Sequence, residues 1–107
     1  MDEVFKALAD PSRRELLDQL YMSNGQTLSE LCRHLKMTRQ AVTKHLLRLT
    51  KADLVVPLWR GREKLHYLNP NPLHQIGERW IHKYERRILT ALTELESGLE
   101  GAGPTKK

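Results

Sequence analysis

Apolar positions recur at steps of three and four through the first half of the chain, alternate more closely after residue 54, and return to helical spacing after residue 72. Val4, Phe5 and Leu8 predict a short amphipathic helix that ends near Asp10. Asp10-Pro11 is a strong new start: the Asp side chain can accept from the free N–H groups of a first turn, and proline at the first helical position gives up no hydrogen bond. Leu16, Leu17 and Leu20 supply the apolar face of this second helix, and Asn24-Gly25, which tolerate positive φ, end it.

Two further short helices abut between Thr27 and Leu49. Thr27-Leu28-Ser29-Glu30 has capping-box spacing, and Leu28, Leu31 and Leu35 follow on one face. After a turn at Lys36-Met37, Thr38 starts a second helix whose buried stripe is Val42, Leu46 and Leu49. Residues 27–52 therefore read as a helix-turn-helix. Leu54 to Trp59 is rich in β-branched and aromatic residues, and Lys64 to Leu68 alternates, with Arg60-Gly61-Arg62-Glu63 between them. Pro57 cannot donate to a ladder, which suits a two-stranded ribbon with an open edge. A hairpin over residues 54–68, directly after a helix-turn-helix, is a wing. Asn69-Pro70-Asn71-Pro72 then breaks the strand. Leu73, Ile76, Trp80, Tyr84, Ile88, Leu92, Leu95 and Leu99 predict one helix over 72–100, roughly 40 Å long. Its aromatic and aliphatic stripe overhangs a small core, as a homodimer interface does, and residues 101–107 are expected to be a frayed tail.

The 107 residues fit a single domain, 1–100, of mainly α class, and a hydrophobic content of 39% suits a core completed by dimerisation. One cysteine, Cys32, permits no intramolecular disulfide; with no apolar run of membrane-spanning length and an acidic N-terminus, a cytoplasmic location is expected. Charge changes the picture more. Residues 1–32 carry three basic and six acidic side chains, residues 33–64 nine basic and two acidic, and residues 65–107 six basic and five acidic. The excess therefore sits on the second helix of the pair and on the wing, where a phosphate backbone explains it better than solubility does.

On a helical wheel the direction opposite Val42, Leu46 and Leu49 is occupied by Gln40, Lys44 and Lys51, flanked by Ala41, Thr43 and Arg48. If this helix enters a major groove its N-terminal turns reach furthest, which selects Arg39, Gln40, Thr43 and Lys44. Gln can pair with the N6 and N7 edge of adenine, and Arg or Lys with guanine O6 and N7. Thr38 is expected to cap the helix while its N-terminus cradles a phosphate, and Arg48, Arg60, Arg62 and Lys64 complete the expected double-stranded DNA contacts. His45 lies near the buried stripe and reads as partly packed. Leu47 points closer to solvent than a leucine should, towards the wing or DNA sugars. No Ser/His/Asp or Cys/His set and no glycine-rich phosphate loop stands out, so an enzyme is not expected.

The runs VFKALADPSRRELLDQL from Val4, AVTKHLLRL from Ala41 and WRGREKLHYLNPNP from Trp59 resemble the ArsR family of bacterial winged helix-turn-helix repressors, over roughly residues 3 to 90. The resemblance implies a dimer that binds an operator of dyad symmetry and represses the gene downstream. By it the helix from Arg39 to Lys51 is the recognition helix, and the first and last helices, with Val4, Phe5, Leu73, Ile76, Trp80, Tyr84, Ile88, Leu92 and Leu95, form the dimer.

Many members of that family sense metals through a Glu-Leu-Cys-x-Cys run, which here is Glu30-Leu31-Cys32-Arg33-His34. Side chains two residues apart on a helix point about 200° away from each other, so Cys32 is expected to be a small buried apolar residue. The family's zinc sensors place Asp-x-His and His-x-x-Glu on the last helix. This chain has His82-x-x-Glu85, but Asn69 and Asn71 stand at the upstream positions; the alternative register gives Pro70, Pro72, Lys83 and Arg86, which cannot ligate zinc. His82 and Glu85 then read as a surface pair. Neither a metal nor a cofactor is expected, and no effector is legible.

Overall fold

A computed structural model describes residues 1–102, with side chains from 1 to 98. Its elements are α1 (Asp2–Leu8), α2 (Pro11–Met22), α3 (Leu28–His34), α4 (Arg39–Lys51), β1 (Val55–Arg60), β2 (Glu63–Leu68), α5 (Asn71–Ile76), a π turn (Gly77–Ile81) and α6 (His82–Ala102). The protein is mainly helical with a two-stranded antiparallel wing, as the patterning predicts. The last helix reaches Ala102, beyond the expected boundary at 100; the rest of the expected tail, and the side chain of Leu99, lie outside the described residues. The chain divides into two compact units, one of residues 1–73 and one from His74 onwards.

Within the first unit every expected start signal is made. The Asp10 carboxylate accepts from the N–H groups of Ser12 at 2.7 Å and Arg13 at 3.4 Å. Thr27 Oγ1 accepts from Glu30 N at 3.2 Å while the Glu30 carboxylate accepts from Thr27 N at 2.8 Å, and Thr38 Oγ1 accepts from Ala41 N at 3.1 Å. These caps fix where each helix begins, so the apolar stripes converge. Leu16, Leu20, Leu31, Val42, Leu49, Leu54 and Val55 are fully buried. The far end of α1 is held by partners from the next helix: Arg13 donates to the carbonyls of Ala7 at 2.8 Å and Lys6 at 3.0 Å, and Arg14 to that of Leu8 at 2.6 Å. A helix C-terminus leaves carbonyls unpaired, and guanidinium groups satisfy them.

The wing is longer at its tip than the sequence predicts. Arg60 and Glu63 pair across the strands, leaving only Gly61 and Arg62 in the turn. Gly61 has φ +63°, which fits a two-residue hairpin turn with glycine at the first central position. At its base Asn69 donates through Nδ2 to Asp53 O at 2.8 Å and through its backbone to Leu54 O at 2.9 Å. Asn69 Oδ1 also accepts from Asn71 N at 3.2 Å, so this residue ties the α4–β1 joint to the start of α5.

The link between α2 and α3 is more than a turn. Gln26 forms an isolated antiparallel bridge with His66: His66 N donates to Gln26 O at 2.8 Å, and Gly25 N and Gln26 N donate to His66 O at 3.0 and 3.2 Å. This stitches β2 to the entrance of the helix-turn-helix. Gly25 makes the approach possible, with φ +76° and room for a Cβ only at 2.9 Å from the Tyr67 ring. Gly25→Ala should therefore cost about 1–2 kcal/mol, from left-handed backbone strain and displacement of that ring. A urea midpoint unchanged by the substitution would contradict this.

From His74 onwards the expected uninterrupted α-helix is replaced by the end of α5, the π turn and α6. The π turn is marked by His82 N bonding to Gly77 O, one residue further back than an α-helix would reach. Its effect is on phase. In a straight α-helix, five turns from Ile76 to Leu95 would accumulate about 100° of drift, because most of the stripe is spaced by four. One inserted residue removes about that angle and returns the two positions to one face.

Candidate nucleic-acid interface

Arg39, Gln40, Thr43 and Lys44, the predicted reading residues, are exposed and line one shallow surface on the first two turns of α4. Thr38 caps this helix, its Oγ1 accepting from Ala41 N. Thr43 Oγ1 donates back to Arg39 O at 2.9 Å, which fixes its rotamer and leaves the hydroxyl's acceptor capacity outward. Arg39 leans towards α3, with Nη1 3.4 Å from Ser29 Oγ. Behind this surface the stripe Val42, Leu46 and Leu49 is buried, so α4 has one orientation in which to present its polar face.

Beside this surface lies a cleft of about 590 Å³ between α3, α4 and the wing, lined among others by Arg39, Thr43, Leu47, Trp59, Arg62 and Lys64. The strand register explains which wing residues reach it. Pro57 opposes His66 and Trp59 opposes Lys64, so these four share a face, whereas Arg60 opposes Glu63 on the other, and of that pair only Glu63, beside the turn, also borders the cleft. Lys64 Nζ lies 5.9 Å from the centroid of the Trp59 ring, a cation–π arrangement. Of the three wing cations, Arg62 and Lys64 line the cleft with α4 and Arg60 does not. Arg48 is exposed but borders neither surface.

Other expectations sort differently. His45 is half-buried, as predicted. Cys32 is half-buried rather than buried, and His34 is exposed. His82 pairs not with Glu85 but with Glu78, Nδ1 to Oε1 3.4 Å, because four residues bring side chains together across the π turn. Among the described residues no three His, Cys, Asp or Glu side chains gather as a metal site would need. No described helix is long and apolar enough to cross a membrane. Of the residues expected at a dimer contact, Val4 is 7% exposed and already covered within its own unit, while Phe5 is 44% exposed. Trp80, Tyr84, Ile88, Leu92 and Leu95 range from 41% to 65% exposed, and Leu73 is 37% exposed.

Two groups that pattern reading left aside hold the site together. Gln26 is buried and donates through Nε2 to Ser23 O at 2.6 Å and Gln19 O at 3.2 Å, capping the end of α2. His66 is 5% exposed, with Nδ1 2.9 Å from Gln26 O. A polar pair forty positions apart carries no periodic signal. Burial pushes the His66 pKa below its ordinary 6.5, the Gln26 carbonyl opposes that shift, and the charge of Lys64 adds to it. The unfolded chain therefore takes up the proton first, so stability should be constant above about pH 6.5 and fall as pH drops below it, until the folded state also protonates. Glu30, held below ordinary carboxylate values mainly by the Thr27 N–H, and Asp10, likewise by that of Ser12, lose their contribution at lower pH. Denaturation midpoints at pH 7.5 and 5.5 check the His66 window, and a midpoint that rose on acidification would refute it.

The sequence and the fold are shared with known proteins. The family described as a helix-turn-helix domain matches residues 8–57. An uncharacterised HTH-type transcriptional regulator of Bacillus subtilis, YuzN, is 40% identical over 86 residues, covering 75% of this chain and 94% of that protein. The transcriptional repressor SdpR of the same organism is 30% identical over 73 residues, covering 68% and 80%. An ArsR-like transcriptional regulator from Rhodococcus sp. RHA1 superposes with a TM-score of 0.67 at 33% identity, covering 88% of this chain and 90% of that one. Matches that cover most of this chain and nearly the whole of the YuzN and Rhodococcus regulators make this chain a member of the ArsR family of DNA-binding helix-turn-helix transcriptional regulators and not an enzyme.

Proposed function

We propose that the protein is a homodimeric, cytoplasmic repressor that reads an inverted-repeat operator in double-stranded DNA. The observation that carries this reading is the meeting of two basic elements: Arg39, Gln40, Thr43 and Lys44 on α4, with Arg62 and Lys64 of the wing across the adjoining cleft. The first set mixes amide, hydroxyl and cationic groups as base readout requires, and the second supplies phosphate contacts beside it. A dimer accounts for the exposed stripe of α6, with which the π turn aligns Ile76. Charge favours an antiparallel pairing. Residues 78–87 carry four basic and two acidic side chains and residues 88–102 only acidic ones, Glu94, Glu96 and Glu100. Two-fold symmetry sets each half against the opposite half of its mate.

Selection from a random duplex pool should return a dyad with half-sites about one helical turn apart, bound by a dimer in sedimentation. Gln40→Ala should then reduce the preference for that site over a scrambled duplex by about ten- to hundred-fold. A winged helix that only docks on backbone would show unchanged relative affinities, and that result would overturn the reading.

A further inference from the structure

The cleft between α4 and the wing has features that phosphate contact does not explain. Its volume, about 590 Å³, is that of a small-molecule pocket. Two large apolar side chains face it with most of their surface uncovered, Leu47 at 65% and Trp59 at 69% exposed, and Pro57 and Leu46 extend the same lining. A surface built only for phosphates needs no such wall. The polar groups are arranged with it. Arg33, Arg39, Arg62 and Lys64 border the cleft against Glu30 and Glu63. Four cationic side chains against two carboxylates, one of them, Glu30, held in its capping box by Thr27 N at 2.8 Å, leave the cleft net positive.

His66 adds a directional group. Its Nδ1 faces a backbone carbonyl, which only accepts, so the proton is on Nδ1 and Nε2 is an acceptor on a ring that lines the cleft. We propose that this cleft binds a small aromatic carboxylate bearing a hydroxyl, its ring between Leu47 and Trp59, its acid group on the arginines and Lys64, and its hydroxyl donating to His66. Arg39, Thr43, Arg62 and Lys64 belong to both this site and the DNA-binding surface, so ligand and operator exclude each other. The bound molecule is an inducer. This regulation rests on the proposed repressor function, whereas the binding itself does not.

The test separates the two. Calorimetric titration of the intact protein with 4-hydroxybenzoate, without DNA, should give saturable binding, with phenol and inorganic phosphate each at least ten-fold weaker. Leu47→Gln, which alters an exposed side chain and leaves the thermal transition in place, should weaken 4-hydroxybenzoate at least five-fold, and Trp59→Ser should do the same. In fluorescence anisotropy with the selected operator, 4-hydroxybenzoate at about ten times its wild-type Kd should lower apparent DNA affinity about ten-fold in the wild type and no more than about three-fold in Leu47→Gln. Absence of binding, equal binding of phenol or phosphate, binding indifferent to both substitutions, or binding that leaves DNA affinity unchanged overturns the proposal. A protein that binds 4-hydroxybenzoate as described but no operator refutes the repressor function and, with it, the inducer role.

Discussion

Leu49→Ala should lower the stability of the first unit by about 3 kcal/mol, with the melting temperature falling by roughly 15 °C. Leu49 is fully buried on the inner face of α4, and its carbonyl accepts from Leu54 N at 2.9 Å where the chain turns into the wing. Truncation leaves a cavity at the point where helix, joint and hairpin meet, and a core of this size has little spare stability against which to set it. The same deletion at Leu47 should shift the transition by less than about 0.5 kcal/mol, because that side chain is exposed. Calorimetric melting of both variants checks the pair, and equal losses would show that the two faces of α4 are wrongly assigned.

Replacing both Arg62 and Lys64 with alanine should weaken operator binding by one to three orders of magnitude and flatten its salt dependence. Each phosphate contact contributes about 0.9 to the slope of log affinity against log salt, so a dimer that loses two contacts per wing should lose about 3.6 in slope. Arg60→Ala should change the slope less, since Arg60 stands on the wing face turned away from the cleft. Binding isotherms between 50 and 200 mM salt test this. An unchanged slope in the double variant would remove the wing from the DNA-binding surface.

Much of this arrangement is legible in the chain because it rests on local rules. Asp10-Pro11, the Thr27/Glu30 box and Thr38 announce helix starts through side chains within three residues of the groups they satisfy. Hydrophobic period then distinguishes helix from hairpin without knowledge of the fold. The exposure of Gln40, Thr43 and Lys44 follows from the same wheel that places Val42, Leu46 and Leu49 inside. What escapes is non-local. The Gln26–His66 bridge and the Asn69 clasp join residues distant in sequence, and the division of wing cations between two faces depends on strand register. Arg60, Arg62 and Lys64 look equivalent as a string of charges; alternation across a two-residue turn makes them different.

The π turn escapes for another reason: it is an offset in the hydrophobic period, and a run of four-residue steps tolerates either description. Its consequence is one of gearing. Deleting one residue within Gly77–Ile81 should turn α6 by about 100° against the residues before it, so Ile76 and Leu95 would no longer lie on one side of the helical rod.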